Sequence, residues 1–566
     1  MLLVSMAAWG QPVIATGNAI LNASSYASDI AQGSWFVIFG TGMGPATLAS
    51  ASSLPYPNQL AGTSVSFTPT SGGAAVGTLL WYTSAGQLAG LLPSSTATGT
   101  YNVTVTYNGQ TSAPQQVNVV ARNFGYATQA QNGQGPAQAT YGGYNLNRFT
   151  TGTLGQYATH PAHVGDTVIL WGTGLGADIA SDISGGSSGD MTAAGQVQVV
   201  VGGVSVTPAY AGRSSGSPGL DQINFVVPAG AQSSCFVSLQ VKAGGKTSNM
   251  GSIAVADAGQ SACSTPTLTQ SQLSKLDQGG SVVLGSLNLS KTASTLTVPG
   301  FGTVNENTES ASGSFSKYTI GTIATAAGFS FSQIGSCLVL TETTSSSTGQ
   351  AALPAPLDAG PQLTLNGPNA SNTAIPELQG AIGDYSKTLY SSGVMGFGGT
   401  GSPTLQSGTY TISGPGGADV GPFTASVNFP GAFTWTNQSS ITSPISRSAG
   451  LPITWSGVST GLVSISGISE SSAGGTTQNP IYSVTIFVCT SPASANSFTV
   501  PSNVLLQLPV ATGDITSGSY GYLSVYATPD ATNGQGVFSA PLTAGGAIDQ
   551  GYFSYSVGSS MTTGWN

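Results

Sequence analysis

Residues able to do covalent or acid–base chemistry are few in this chain and poorly spaced for it. The two histidines, His160 and His163, share one segment, HPAHVGD. A zinc protease pattern needs H-E-x-x-H on one helical face. Pro161 between the histidines rules out a regular helix, so both are expected on a loop leading into the strand DTVILWG. G-x-S-x-G occurs at Gly185–Gly189 and at Gly457–Gly461, but 80 glycines in 566 residues make such matches expected by chance. A hydrolase elbow also requires a strand–turn–helix context and a histidine partner. GTGMG (40–44) and GTGLG (172–176) invite a phosphate-loop reading, which needs a helix N-terminus directly after the glycines. Residues with no helical period follow instead, so these glycines are read as a tight turn or bulge leaving a strand.

Three aspartates, Asp178, Asp182 and Asp190, fall in one Gly/Ser-rich loop. Calcium favours carboxylates on such loops, but the spacing matches no EF-hand, and solvated turn aspartates are expected. A pair of carboxylates would suffice for glycoside hydrolysis. The candidates Glu306, Glu309, Asp358, Glu377 and Asp384 cannot be paired from their spacing. No catalytic residue, resident metal or cofactor is therefore assigned.

Aromatic side chains offer a different chemistry, stacking on the apolar faces of sugar rings. Trp81-Tyr82, Tyr141, Tyr144, Phe149, Tyr157, Trp435 and Trp455 are the candidates. Tyr141, Tyr144 and Tyr157 are preferred as ligand-binding residues. They lie in a Gly-, Gln-, Asn- and Tyr-rich insertion, 129–164, expected to form an extra hairpin or long loop. At least one of Trp81 and Tyr82 is expected in the core, because the pair sits within a strand.

The elements that must position these residues are announced by a repeat. GSWFVIFGTGMGPA (33–46) returns as GDTVILWGTGLGAD (165–178), GQLAGLLPSS (86–95) as DQINFVVPAG (221–230), and YNVTVTYNGQTSAP (101–114) as FVSLQVKAGGKTSN (236–249). Strand-like blocks in conserved order mean two copies of one β-domain. Each copy has the spacing of short strands expected of an immunoglobulin-like sandwich, and Asn108-Gly109 predicts a hairpin turn. The order FxIFGTGxGP, a GQIN-like block ending in VP, and a GxTS hairpin resembles an uncharacterised domain of secreted proteins from Solibacter-type acidobacteria. Asn22-Ala-Ser-Ser-Tyr26 matches its opening, and Gln222-Ile223-Asn224 its central block. That family is similar to the IPT/TIG type of immunoglobulin-like fold. The resemblance covers about 18–257 and implies no activity.

Composition supports an all-β chain. Charged residues make up 5%, ten basic and nineteen acidic, for a net charge of −9; a typical soluble domain carries about 25%. Without a basic cluster, nucleic acid is excluded as a partner. No apolar run is long enough for a transmembrane helix. Residues 1–10 (MLLVSMAAWG) look like a truncated signal peptide, which places the chain outside the cell or on its surface. Cys235, Cys263, Cys337 and Cys489 form no CxxC pair; in an exported protein they suggest two disulfides, Cys235–Cys263 and Cys337–Cys489.

The expected organisation is a signal remnant (1–10), one immunoglobulin-like sandwich (11–121), a second (122–263), a β-rich domain (264–440) and a C-terminal β-sandwich (441–566), the last two either separate or packed as one unit. The segment 265–276 would supply one short helix or a linker. The function expected is an exported, non-catalytic structural or adhesive protein. The alternative is a module binding extracellular polysaccharide, and a carboxylate-dependent glycoside hydrolase ranks last. An extracellular glycan or a surface protein would be the partner. Sparse charge also leaves strand edges poorly guarded against self-association.

Overall fold

The computed structural model describes residues 10–566 except 18, 143, 185–189, 250, 266–267, 299–301, 324–333, 336, 345–352, 394–397, 476–479, 514–518 and 531–533. Residues 1–9 of the expected signal remnant (1–10) and the Gly185–Gly189 motif thus lie outside the described residues. The architecture is all-β and multi-sheet.

In the first repeat two sheets face each other. One runs Val13–Ile14, Trp35–Thr41, Gln87–Leu91, Leu79–Thr83, Ala49–Ser50, with Ile20–Asn22 also paired to Trp35–Thr41. The other runs Ile30–Ala31, Gln115–Val120, Gly99–Tyr107, Thr63–Pro69, Val76–Gly77. Alternation along each strand sends Phe36, Ile38, Val103, Val105, Val117 and Val119 into one shared core. The hairpin predicted at Asn108-Gly109 is present, with φ of 47° and 82°.

The second repeat has the same two-sheet plan around its own core, which includes Val168, Leu170, Ile223, Phe225, Leu239 and Val241. Its 129–164 insertion is woven into the sheet. Ala139–Tyr141 pairs with Thr167–Thr173, and Asn145–Asn147, Tyr157–His160 and Gly152–Leu154 extend the edge beyond it.

The remaining chain builds one fifteen-stranded sheet with strands from both sides of residue 440. At its centre lie Ser281–Val298 and Gly302–Thr319, a long antiparallel pair of 18 residues each. Gln550–Thr563 docks parallel to the first of these, from Leu284↔Gln550 to Thr295↔Met561, and is held on its other side by Gly521–Thr528. In the middle of these strands, at 285–289, 309–315 and 551–557, odd-numbered residues face inward. Leu287, Leu289, Ala311, Phe315, Phe553 and Tyr555 meet Leu363, Tyr410, Ile412 and Phe423 from the end of the sheet that folds back. Ile465, Phe487, Leu523 and Val525 meet Trp435, Ile453 and Trp455 of a separate three-stranded sheet.

A helix, Gln270–Asp277, falls in the segment expected to hold a helix or linker, and joins the second repeat to this large sheet. Thr269 and Gln272 form its capping box. Leu273 and Leu276 pack with Phe149, Cys235 and Cys263 on one side and Val282, Leu284, Tyr318 and Tyr552 on the other. Asp277 accepts hydrogen bonds from the backbone N–H groups of Phe149 and Thr150 and from the Thr150 hydroxyl.

Both disulfides have the pairing expected. Cys235–Cys263 fastens the strand Ser234–Ala243 to the segment entering that joint. Cys337–Cys489, far apart in sequence, links directly opposed residues of adjacent strands. Replacing Cys235 and Cys263 together by serine should lower the unfolding free energy by about 3 kcal/mol, the loop-closure effect for a loop of this size. The check is a urea titration, fitted for midpoint and slope together, because the uncrosslinked unfolded chain is more expanded and steepens the transition.

Candidate functional site

The strand Trp35–Thr41 alternates: Phe36 and Ile38 enter the core, and Trp35, Val37 and Phe39 face out. Beside it, Leu79–Thr83 departs from alternation. Its register against Gln87–Leu91 slips between Leu80 and Tyr82, leaving Trp81 as the extra residue of a bulge. Leu80 is fully buried, yet Trp81 and Tyr82 both turn to the outer face, with Trp81 46% exposed. Trp81 stands outside the core, turned out by the bulge, while Tyr82 is half-buried and packs on the cluster of Leu21, Val37 and Ala89 beneath that face, as expected of at least one of the pair.

The outer face therefore carries a run of rings. Tyr56 meets Trp35 at 5.3 Å, Trp35 meets Trp81 at 5.0 Å, and Trp81 meets Tyr82 at 5.4 Å between centroids. Tyr26 stacks on Phe39 nearby at 6.3 Å. At the edge, the Gln87 side-chain amide donates to the Tyr82 hydroxyl at 2.7 Å. Burial, aided by neighbouring Tyr26, pushes the Tyr82 phenol up to about 12, so it stays a neutral donor and acceptor at ordinary pH. An exposed indole seated on fixed rings, with an amide and a phenol at its rim, can stack on one face of a sugar and hydrogen-bond its hydroxyls.

This platform is braced by the second repeat. Trp35 is 9% exposed, and Gly219 passes over it so closely that a Cβ there would lie 2.6 Å from the indole nitrogen. Gly219 also has φ +75°, so the position excludes a side chain twice over. The Thr173 hydroxyl accepts from the Trp35 backbone N–H at 2.9 Å and donates to the Gly219 carbonyl at 2.7 Å. Asn22 makes an Asx turn by accepting from the Ser24 and Ser25 N–H groups, and its amide donates to the carbonyls of Asn123 and Thr173. The NASSY opening thus has a physical role as an inter-repeat contact.

GTGLG anchors the same junction. Gly174 and Gly176 have φ of +108° and +118°, and the Leu175 N–H points at an anion, as in a phosphate loop. The anion is internal. Asp221 accepts from Leu175 N–H at 2.7 Å and forms a fully buried ion pair with Arg213, which also donates to the Gly176 carbonyl. Burial pushes the Asp221 carboxyl up to about 6 against the pull of Arg213 and the Gly174 and Leu175 amides. In the first repeat Gly86 takes the corresponding place beside its loop, donating no carboxylate: Gly40 N–H bonds to the Gly86 carbonyl instead.

The calcium candidates separate. Asp182 is 7% exposed and accepts from both the backbone N–H and the hydroxyl of Ser94 in the first repeat. Asp178, also buried, donates its N–H to the Ser94 hydroxyl. Asp190 is bound to Thr192, whose hydrogen bonds hold its carboxyl below the usual range. Among the described residues no three His, Cys, Asp or Glu side chains gather in a way that could hold a metal ion. Asp178 and Asp182 are buried rather than solvated, because they staple the two repeats together.

The preferred tyrosines do not form a platform together. Tyr141 is half-buried, its hydroxyl donating to the Pro161 carbonyl and its ring meeting His160 at 6.3 Å. Tyr144 and Tyr157 are exposed, at 66% and 47%. Phe149, Trp435 and Trp455 are buried in cores. His160 contacts the Thr151 hydroxyl and His163 the Gln260 carbonyl. The carboxylates considered for hydrolysis serve the backbone: Glu309 accepts from Thr404 and Leu405 N–H and pairs with Lys291, Asp358 accepts from Gly360 and Ala418, and Glu377 from Gly383. Glu306 accepts from the Ser391 hydroxyl. Burial and the charge of Glu377 raise Asp384.

No family model matches the chain, and no curated protein matches it. Among solved structures, the SGBP-B protein of a Bacteroides ovatus mixed-linkage glucan utilization locus, in complex with a mixed-linkage heptasaccharide, aligns at 11% identity. That alignment covers 64% of this chain and 65% of the other, just under two thirds, with a TM-score of 0.19. SGBP-B from a complex xyloglucan utilization locus in Bacteroides uniformis aligns at 11% identity over 67% and 86%, with a TM-score of 0.16. Domains 5–6 of the S-layer protein SbsC align at 16% identity over 44% and 99%, also with a TM-score of 0.16. Likeness at these scores carries no argument about what this chain does.

Replacing Arg213 by Met strands the Asp221 carboxylate in the junction and should cost about 3–5 kcal/mol of stability. Pairing it with Asp221→Leu should recover part of that loss, since no charge is left unpartnered, while the Leu175 N–H loses its acceptor and keeps the double variant below wild type. Chemical denaturation of the single and double variants is the check.

Proposed function

We propose that the chain is an exported, non-catalytic surface protein that binds extracellular polysaccharide through the outer face of its first β-sandwich. The observation that carries this reading is Trp81, an indole 46% exposed within a run of fixed rings. An exposed aromatic in so rigid a setting gives contact area at little entropic cost. With 5% charged residues overall, recognition would rest on stacking and neutral hydrogen bonds, suiting an uncharged glycan. The two repeats, taken as immunoglobulin-like domains of the acidobacterial type, would act as the scaffold. The exposed Tyr144 favours a second reading, adhesion to a surface protein through the insertion.

The test is affinity electrophoresis of the full-length, oxidised protein in gels containing mixed-linkage glucan, xyloglucan or mannan. Retardation by at least one of these is expected. Trp81→Ala should weaken it tenfold or more without moving the thermal transition, and Tyr144→Ala should leave it unchanged. Free migration in all three, or equal retardation of Trp81→Ala, would overturn the proposal.

A further inference from the structure

The outer face of the large sheet is paved with small hydroxyl and amide side chains in register across several strands. One row reads Thr388–Ser310–Ser290–Ser556, each residue paired with the next across neighbouring strands. The next row along the strands reads Ser386–Ser312–Asn288–Ser554. A further row reads Ser294–Ser560–Ser524–Ser466, but Ser560 is buried and Tyr526, beside Gly558, stands between this row and the first, so on that side the field ends at Ser556. Strands lie about 4.8 Å apart and same-face neighbours about 6.8 Å apart, so the field measures roughly 14 Å across the four strands and, from Asn288 to Ser294, roughly 20 Å along them. Its residues are mostly half-exposed, while their odd-numbered neighbours fill the cores on the opposite side.

A solvent-facing sheet surface is ordinarily polar, but two features set this one apart. Formal charge enters only at its margins, with Glu306 opposite Ser294 and Asp384 opposite Ser314. Serine, threonine and asparagine also barely project, so the four-strand part from Thr388 and Ser386 to Ser556 and Ser554 is level, with Tyr526 rising beyond its edge at Gly558. At one end the same face turns apolar, at Val282, Leu284, Tyr318 and Tyr552, and there the second repeat already docks on it. The hydroxyl field beyond that dock is left open.

We infer that this field is a second carbohydrate-binding surface, taking the face of an ordered, uncharged polysaccharide whose chains lie side by side. Each hydroxyl both donates and accepts, so the matching partner presents neutral groups that do the same over an extended plane. An anionic partner finds no cation here, and an apolar one would leave the hydroxyls unsatisfied. The surface is separate from the Trp81 platform and does not depend on it.

The experiment is co-sedimentation of the full-length, oxidised protein with suspensions of cellulose, chitin and insoluble mannan. Retention on at least one solid is expected. Measured in a Trp81→Ala background, so that the first surface contributes nothing, the triple variant Ser310→Lys/Ser290→Lys/Ser556→Lys should lose it at least tenfold, whereas the matching triple threonine variant should keep it. Thr388→Lys, at a position already exposed, should lose it about threefold and serves if the triple lysine variant fails to fold. Wild-type protein remaining in the supernatant with all three solids would overturn the inference. So would full retention of the lysine variants, or lysine-sensitive dimerisation in sedimentation velocity without retention, which would make a second copy of the chain the occupant.

Discussion

With so few charges, this fold depends on carboxylates bonded to backbone amides where one part of the chain meets another. Several of the acidic residues are buried: Asp182 accepts from Ser94, Asp221 from Leu175, Asp277 from Phe149 and Thr150, and Glu309 from Thr404 and Leu405. Buried amide N–H groups must find acceptors, and a carboxylate can take several at once with charge-assisted strength. A protein that elsewhere relies on hydroxyls and amides has placed its anions where loops cross between units. Only Asp221 and Glu309 among these four have a direct basic partner, Arg213 and Lys291; backbone amides do much of the neutralising.

The junction between the repeats shows how this arrangement serves a surface. A single glycine-rich loop ties Asp221 and Arg213 together below, while Thr173 and Gly219 reach up to hold Trp35. Trp35 in turn supports Trp81. The exposed ring is held in place by the neighbouring domain as well as by its own strand, which is the kind of supporting shell that a rigid binding surface needs.

Much of the framework is legible in the sequence because it is written in periodicity and repetition. The doubled GTG motif leaves a strand in both copies, Asn108-Gly109 turns a hairpin, and the cysteines pair as their placement suggests. The site is harder to read. The bulge after Leu80 has no signature in LLWYT, yet it alone decides that Trp81 and Tyr82 share the outer face. The tyrosines of the insertion attract attention by composition, but composition does not reveal that Tyr141 spends its hydroxyl on Pro161. Nor can spacing show that Asp182 reaches a serine 88 positions earlier. The hydroxyl field is invisible for the same reason: each strand contributes an ordinary alternation, and only the register across strands aligns the serines into rows.

The parallel docking of Gln550–Thr563 against Ser281–Val298 has a consequence for how the molecule comes into being. Ser281–Val298 and Gly521–Thr528, the neighbours of that strand, are not paired with each other, so among the described residues the ladder of the great sheet is continuous only through it. Contacts separated by 266 positions close slowly, because the intervening chain must first be gathered. A nascent chain that has not yet reached residue 550 therefore holds two finished sandwiches followed by an open sheet lacking its keystone.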